Sequence, residues 1–543
     1  MFFQIDAKKN YIFLIFTYIT LLLLSFFTFV APGASYVTVW LNDIMGLADV
    51  ANRVYLGQVP YKDFQFPYGP LVAIIPGLGI SLGLNLGQIF GFNGIVVASL
   101  LCMTEIIILS RRFTVVPALL ILFFTWILIV VPMGETMPFN FVTWGTFYNR
   151  QGIAALIITF LLYVEPEYST RRSKLIDALA ISVLLLFEFY DKVTFAAIAF
   201  TFVIVNATVS RHNRQVSLLG VLFAVIFALM FEAFFHFHVN YFSNILQMSR
   251  MQNGNLFGIW RMLPVLINFS PFVLNCFAAL LLVFFAGRRS WFDVLYVAGI
   301  LVANILIHGT TGAVSVYGVS ILLVAVFMSI GELARRSEFC KNSEINLHPK
   351  TILSHYPAFL MCLFFLVMSI SSEVLNRLVV WHDFTSKVTR YHSSSGVPER
   401  LSSTFTKSNK GTNTILYERD NLIASEYMKT LIDGSKKLSA LGQFDKSVIT
   451  FDMVNPFPYT TGMIPPVRGY PLFFIYGLTI NEGLLPTPSQ FFGNAYYVMI
   501  PVLPINDDQL KIMMRLYGSY LKKNYFIFEK TEYWEIWIKN LNS

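Results

Sequence analysis

Trp40-Leu-Asn-Asp-Ile-Met-Gly-Leu-Ala-Asp49, then Ala51-Asn-Arg-Val-Tyr-Leu-Gly-Gln-Val-Pro-Tyr-Lys-Asp-Phe-Gln-Phe-Pro-Tyr-Gly-Pro70, is a polar, acidic stretch set directly after the first apolar run. It concentrates Asp43, Asp49, Arg53, Lys62 and Asp63 in a chain of 543 residues that is 56% hydrophobic and only 13% charged. A mean hydropathy of +0.62 is too high for a soluble enzyme of ordinary make-up, so the chain reads as an integral membrane protein. The formal charge of +8 sits largely in short Lys/Arg clusters between apolar runs, with no basic stripe interleaved with aromatics, which argues against nucleic acid as a partner.

Apolar runs near the length a bilayer requires lie at about 11–31, 89–110, 114–132, 151–164, 175–190, 193–209, 216–236, 263–286, 291–307, 312–331 and 355–375. The first is too long for a signal-peptide core and lacks a small-x-small cleavage site, so it reads as a retained anchor. Eleven crossings place fifteen clustered Lys and Arg, from Lys8-Lys9 to Lys350, on one side and six on the other. The positive-inside rule then puts the N-terminus in the cytoplasm and everything beyond about Leu375 outside, as expected of a multi-pass plasma (inner) membrane protein. Counting Leu71–Gly87 as a further span would invert every later cluster. With Pro76 and four glycines weakening a regular helix, this segment (71–88 in the domain division) reads as interfacial or re-entrant.

The same alternation gathers Met133–Arg150, Phe189–Lys192, His236–Arg261 and His308–Val314 beside the first outer loop, 32–70. From about residue 376 the composition becomes that of a soluble domain. Ser402–Thr412 reads as loop, Ala424–Leu441 and Asp507–Lys523 as helices, Ser447–Met453 and Ala495–Pro501 as strands, and Tyr525–Ile538 as a hairpin. The expected fold class is therefore a polytopic α-helical membrane protein of about 11 transmembrane helices (1–375), an interfacial segment, and a small C-terminal extracytoplasmic α/β domain (376–543). Cys102, Cys276, Cys340 and Cys362 all precede that domain, which must hold together by its core alone.

Asp43, some twelve residues past a span and within reach of lipid head groups, could act as a general base toward an acceptor hydroxyl or amine. It could also hold a divalent metal, Mg or Mn, against a phosphate leaving group. Its plainer role is to cap a helix over Ile44–Leu56. Asp63 is the second catalytic candidate, with turn formation as its alternative. Arg53 most simply pairs with Asp49 at i, i+4 spacing.

The order of these features resembles the start of membrane glycosyltransferases of the GT-C superfamily. One span leads into an outward acidic loop and then a Gly-Gln-x-Pro-Tyr-x-Asp-Phe-x-x-Pro-x-Gly-Pro run (57–70) before an interfacial helix. The resemblance implies a catalytic acid in the first outer loop and a polyprenyl-phosphate-linked sugar donor. It also implies a glycan, lipid or protein acceptor, with membrane lipids as surroundings. By position Asp43 matches the family's loop acid. The family's frequent paired acid is missing, since Asn42-Asp43-Ile44 stands here, so the base remains open among Asp43, Asp49 and Asp63, as does the need for a metal. Arg150 and Asn149 in Tyr148-Asn-Arg-Gln151, and Lys192 in Tyr190-Asp-Lys192, lie at outer span ends where cations bind a lipid-linked phosphate. Arg53, Lys62, Tyr68 and His308 complete the substrate-binding candidates.

Two rivals stand beside an inverting glycosyl transfer. A transporter or lipid-linked-glycan flippase would place ionisable groups near mid-membrane, where only Glu105, Glu188 and Glu232 qualify. A non-catalytic scaffold would leave Asp43, Asp49 and Asp63 pointing away from any cavity.

Overall fold

A computed structural model describes residues 7–113, 115–133, 141–164, 166, 170–209, 211–251, 298–300, 302–303, 374–391, 397–406, 417–418, 421–473 and 485–540. The sequence-expected spans at 263–286, 312–331 and nearly all of 291–307 and 355–375 lie outside these residues, as does His308. The protein is mostly helical, with several apolar helices. Three described helices are long and apolar enough to cross a membrane: Lys9–Phe29, Leu86–Leu109 and His212–Phe235. Shorter apolar helices cover Leu71–Ser81, Val115–Val130 and Val193–Thr208.

In chain order the first elements are α1 (Ala7–Phe29), β1 (Ser35–Val37), α2 (Leu41–Tyr55), α3 (Leu71–Ser81), α4 (Leu86–Leu109) and α5 (Val115–Val130). They are followed by α6 (Phe147–Leu161), α7 (Arg171–Asp191), α8 (Val193–Val209), α9 (Arg211–Phe235) and α10 (His238–Met251). Bulky apolar residues stand exposed along α1 and α9, among them Phe16, Phe27, Leu218 and Leu229, as suits helices surrounded by hydrocarbon. The 11 residues of α3 rise about 16 Å, roughly half of a bilayer core. Gly83, at φ 80°, makes the turn into α4 that a residue with a Cβ would resist.

At the end of these helices that carries the basic clusters, Asp177 of α7 accepts from both Arg111 and Arg112, the latter at 3.0 Å. Arg112 also donates 2.7 Å to the Val164 carbonyl, so one buried network ties the ends of α4 and α6 to the start of α7.

Beyond the helices, β2 (Thr404–Thr406) pairs in parallel with β1, and β3 (Tyr417–Glu418) pairs with β4 (Asn421–Leu422). A stretch read as loop from sequence thus carries a strand, because a three-residue partner some 370 positions away leaves no local pattern. The strands β5 (Val448–Thr450), β6 (Tyr497–Pro501), β7 (Tyr525–Lys530) and β8 (Trp534–Lys539) form one sheet in the order β5-β6-β8-β7. Period-two alternation sends Ile449, Val498, Ile500 and Trp537 into one core with Met513, Tyr517 and Leu521 of the helix Asp507–Asn524. It sends Val448, Tyr497, Met499 and Ile536 into another with Leu438 of the helix Ala424–Ala440. The helix Asp507–Asn524 is capped by Asn506, whose side chain accepts from Gln509 N.

The two regions share one core. Tyr427, Leu431, Val454, Tyr459 and Leu472 belong to the same buried cluster as α1 to α8. A Cβ on Gly46 of α2 would collide with Leu472 and crowd Val454, so bare backbone is what lets the sheet region settle onto α2.

Candidate functional site

The helix α2 begins at Leu41, three residues before the expected start, after Trp40 in a left-handed conformation (φ 53°). Asp43 therefore does not cap the helix; it sits within the first turn, where backbone N–H groups favour negative charge. It is partly reached by solvent but closely ringed by protein, and burial pushes its carboxyl up to about 7. Asn42 Nδ2 donates 3.2 Å to its Oδ1. Gly145 leaves it space: a Cβ there would lie 3.1 Å from Asp43 Cβ and 3.5 Å from Oδ2.

Tyr68 stands within the field of Asp43, and burial together with that carboxylate raises its phenol well above the usual range. Its ring stacks on Tyr148, centroids 4.1 Å apart. The Lys192 ammonium lies 5.6 Å from the Tyr148 centroid and 5.7 Å from that of Phe195, and donates 3.1 Å to Asn149 Oδ1. Asp43, Tyr68, Tyr148, Asn149 and Lys192 thus form one continuous group drawn from three separate parts of the chain. Gly69 is the joint: its N–H donates 2.8 Å to Asp191 O, and its Cα faces the Tyr190 carbonyl so closely that a Cβ would clash.

A further hydroxyl approaches from the sheet region. Tyr427 is buried, and Asp452 and Asp43 both raise its phenol beyond what burial alone does. Asp452 follows β5, accepts from Met453 N at 2.7 Å and Ile505 N at 3.0 Å, and is pushed by burial to about 7.

The remaining candidates lie elsewhere in the network. Arg53 is wholly buried; it donates 2.8 Å to Asp49, 3.2 Å to Gln58 and 2.7 Å to the Pro466 carbonyl, lacing the first loop to the sheet region. Asp63 Oδ2 accepts from Val59 N at 2.7 Å, closing a turn, while its carbonyl accepts from Arg468 N at 2.6 Å. Lys62 is exposed. Arg150 is buried and donates 2.7 Å to Met133 O and 3.5 Å to Thr143 O, bracing the segment that holds Gly145. Trp144 is buried and donates 3.1 Å to Ser35.

Of the carboxylates noted inside spans, Glu105 accepts 2.5 Å from Thr125 and Glu188 accepts 3.3 Å from Thr159, each across a helix–helix contact. Glu232 faces His238. No three His, Cys, Asp or Glu converge as a metal site among the described residues.

Sequence reading missed Tyr148 as a member, although the quoted Tyr148-Asn-Arg-Gln151 contains it, and it missed Gly145 and Tyr427. Aromatics are 16% of the chain, so only contact distinguishes these tyrosines from the rest.

No family model and no curated protein sequence matches the chain. Among solved structures, ArnT from Cupriavidus metallidurans bound to undecaprenyl phosphate is similar at 12% identity over 97% of this chain and 98% of that one, with a TM-score of 0.46. The arabinofuranosyltransferase AftD from Mycobacteria is similar at 11% identity, covering 98% of this chain and 40% of that one, with a TM-score of 0.41. The archaeal oligosaccharyltransferase AglB from Archaeoglobus fulgidus, in complex with an inhibitory peptide and a dolichol-phosphate, follows at 11% identity, 98% and 74% coverage and 0.36.

Proposed function

We propose that the protein is an integral membrane glycosyltransferase that moves a sugar, with inversion, from a polyprenyl-phosphate-linked donor to an acceptor hydroxyl or amine at the outer face of the membrane. The observation that carries this reading is the joining of a carboxylate of raised pKa, Asp43, to a phosphate-binding cation, Lys192, through the stacked Tyr68 and Tyr148. A base whose pKa lies near the working pH and a cation on the opposite flank are the two groups such a displacement requires.

In this mechanism Asp43 takes the acceptor proton as the acceptor atom bonds to the anomeric carbon. The bond from that carbon to the phosphate oxygen breaks, and its electron pair leaves with the lipid phosphate. Lys192, oriented by Asn149, stabilises the charge on the departing phosphate. The stacked pair of Tyr68 and Tyr148 offers aromatic edge and hydroxyls to a sugar lying beside it. Arg150 serves by holding the segment around Gly145, and Arg53, Asp49 and Asp63 by holding the loop. No step is routed through a metal.

The test is transfer from radiolabelled polyprenyl-phosphate sugars by the purified full-length protein in nanodiscs. Asp43→Asn should lower the rate about 10²- to 10⁴-fold, and Lys192→Met should abolish turnover while the protein stays folded. Near wild-type transfer by Asp43→Asn, with Asp63→Asn inactive, would overturn the assignment of the base.

A further inference from the structure

Glu232, His238 and Tyr190 form a hydrogen-bonded chain that the reading above does not use. His238 opens α10, and its Nδ1 lies 2.8 Å from Glu232 Oε2, which also accepts from the His238 backbone N at 2.8 Å. Its Nε2 is 3.0 Å from the Tyr190 hydroxyl. With a carboxylate on Nδ1, that nitrogen holds the proton in the neutral ring, and Nε2 accepts from Tyr190. His236, at φ 50°, makes the bend between α9 and α10 that brings carboxylate and imidazole together.

We propose that His238 is a positioning residue. Through Tyr190 it fixes the Phe189–Lys192 turn and so sets the place of the Lys192 ammonium where the phosphate of a polyprenyl phosphate binds. This rests on the reading of Lys192 as the phosphate-binding cation. The rest of α10 grips the same two segments. The Tyr241 hydroxyl donates 3.0 Å to Phe189 O, its ring lies 4.7 Å from that of Tyr61, and Asn244 donates 2.6 Å to Phe66 O. Tyr61 in turn donates 2.6 Å to Tyr68 O. Lys192 itself is already extended (φ −160°, ψ 120°), one residue past the last turn of α7. Its backbone is therefore located from one side by the Gly69–Asp191 bond and from the other by the Tyr190 side chain.

The test is equilibrium binding of radiolabelled undecaprenyl phosphate to the full-length protein in phosphatidylglycerol nanodiscs. Lys192→Met should weaken binding about tenfold or more, the usual range for a charge-assisted hydrogen bond. His238→Phe and Tyr190→Phe should each weaken it several-fold, and His238→Gln, which keeps a donor for Glu232 and an acceptor for Tyr190, should retain most of the affinity. The double variant Lys192→Met with His238→Phe should bind no more weakly than Lys192→Met alone, because His238 acts only through Lys192. Additive losses, or wild-type binding by both His238→Phe and Tyr190→Phe, would overturn the role of His238 while leaving that of Lys192 intact. Unchanged binding by Lys192→Met would overturn the reading of Lys192 and this inference with it.

Discussion

Asp43 and Asp49 lie six residues apart on one helix, and burial raises both carboxyls, to about 7 and about 6, but Asp49 alone has a guanidinium drawing it back down. Asp49 is sealed against Arg53 at 2.8 Å, both side chains fully buried, whereas Asp43 has, among the described residues, one side-chain donor, the Asn42 amide, and stands beside Tyr68. Burial lifts the Asp43 carboxyl from 3.8 to about 7, so the folded protein holds that proton more tightly than the unfolded chain does. Its contribution to stability therefore declines as pH rises from about 4 to about 7 and stays low above that. Transfer activity should rise with pH through a limb near 7, and Asp43→Asn should leave thermal stability at pH 8 unchanged or raised while removing that limb. Arg53→Met should do the reverse. It strands a buried carboxylate, at a cost of about 3–5 kcal/mol, which thermal denaturation in detergent would register as a large drop in Tm.

Among the elements, the segments that build the site meet at glycines, and their periodicity is silent about it. Gly69 lies where the first loop touches the Phe189–Lys192 turn, and Gly145 lies where α6's leading segment passes Asp43. Gly69→Ala should push the turn away from Tyr68. The expected result is a protein of near-normal helix content by circular dichroism but with binding of undecaprenyl phosphate reduced several-fold, up to the loss seen in Lys192→Met; unchanged binding would show that the joint does not set the cation's place. The helices themselves were legible in the sequence. Apolar runs at 89–110, 175–190 and 193–209 correspond to α4, α7 and α8, because hydrocarbon demands a local, contiguous apolar pattern. The start of α2 was not, since Trp40 initiates it from a left-handed backbone that no capping pattern announces.

For the whole molecule, one core joins α2 to the sheet region through Gly46, Leu472 and Val454, and Arg53 adds a hydrogen bond to Pro466. The asymmetry of Lys and Arg along the chain sets the orientation expected for that assembly. In intact cells carrying a cysteine-free background, Asp445→Cys should react with a membrane-impermeant maleimide. Lys174→Cys should react only after permeabilisation, and the opposite pattern would reverse the orientation.

The sequence by itself determined the membrane class, the positions of several apolar helices and a short loop, 40–70, dense in acids. It named Tyr68, Asn149 and Lys192 among nine site candidates but offered no ground for ranking them above Arg53 or Asp63. Tertiary structure decided which of these stand together. Hydrogen-bond and stacking partners some 40 to 400 residues apart, such as Lys192 with Asn149, Tyr68 with Tyr148 and Arg53 with Pro466, depend on how helices pack, and packing leaves no periodic trace in the chain.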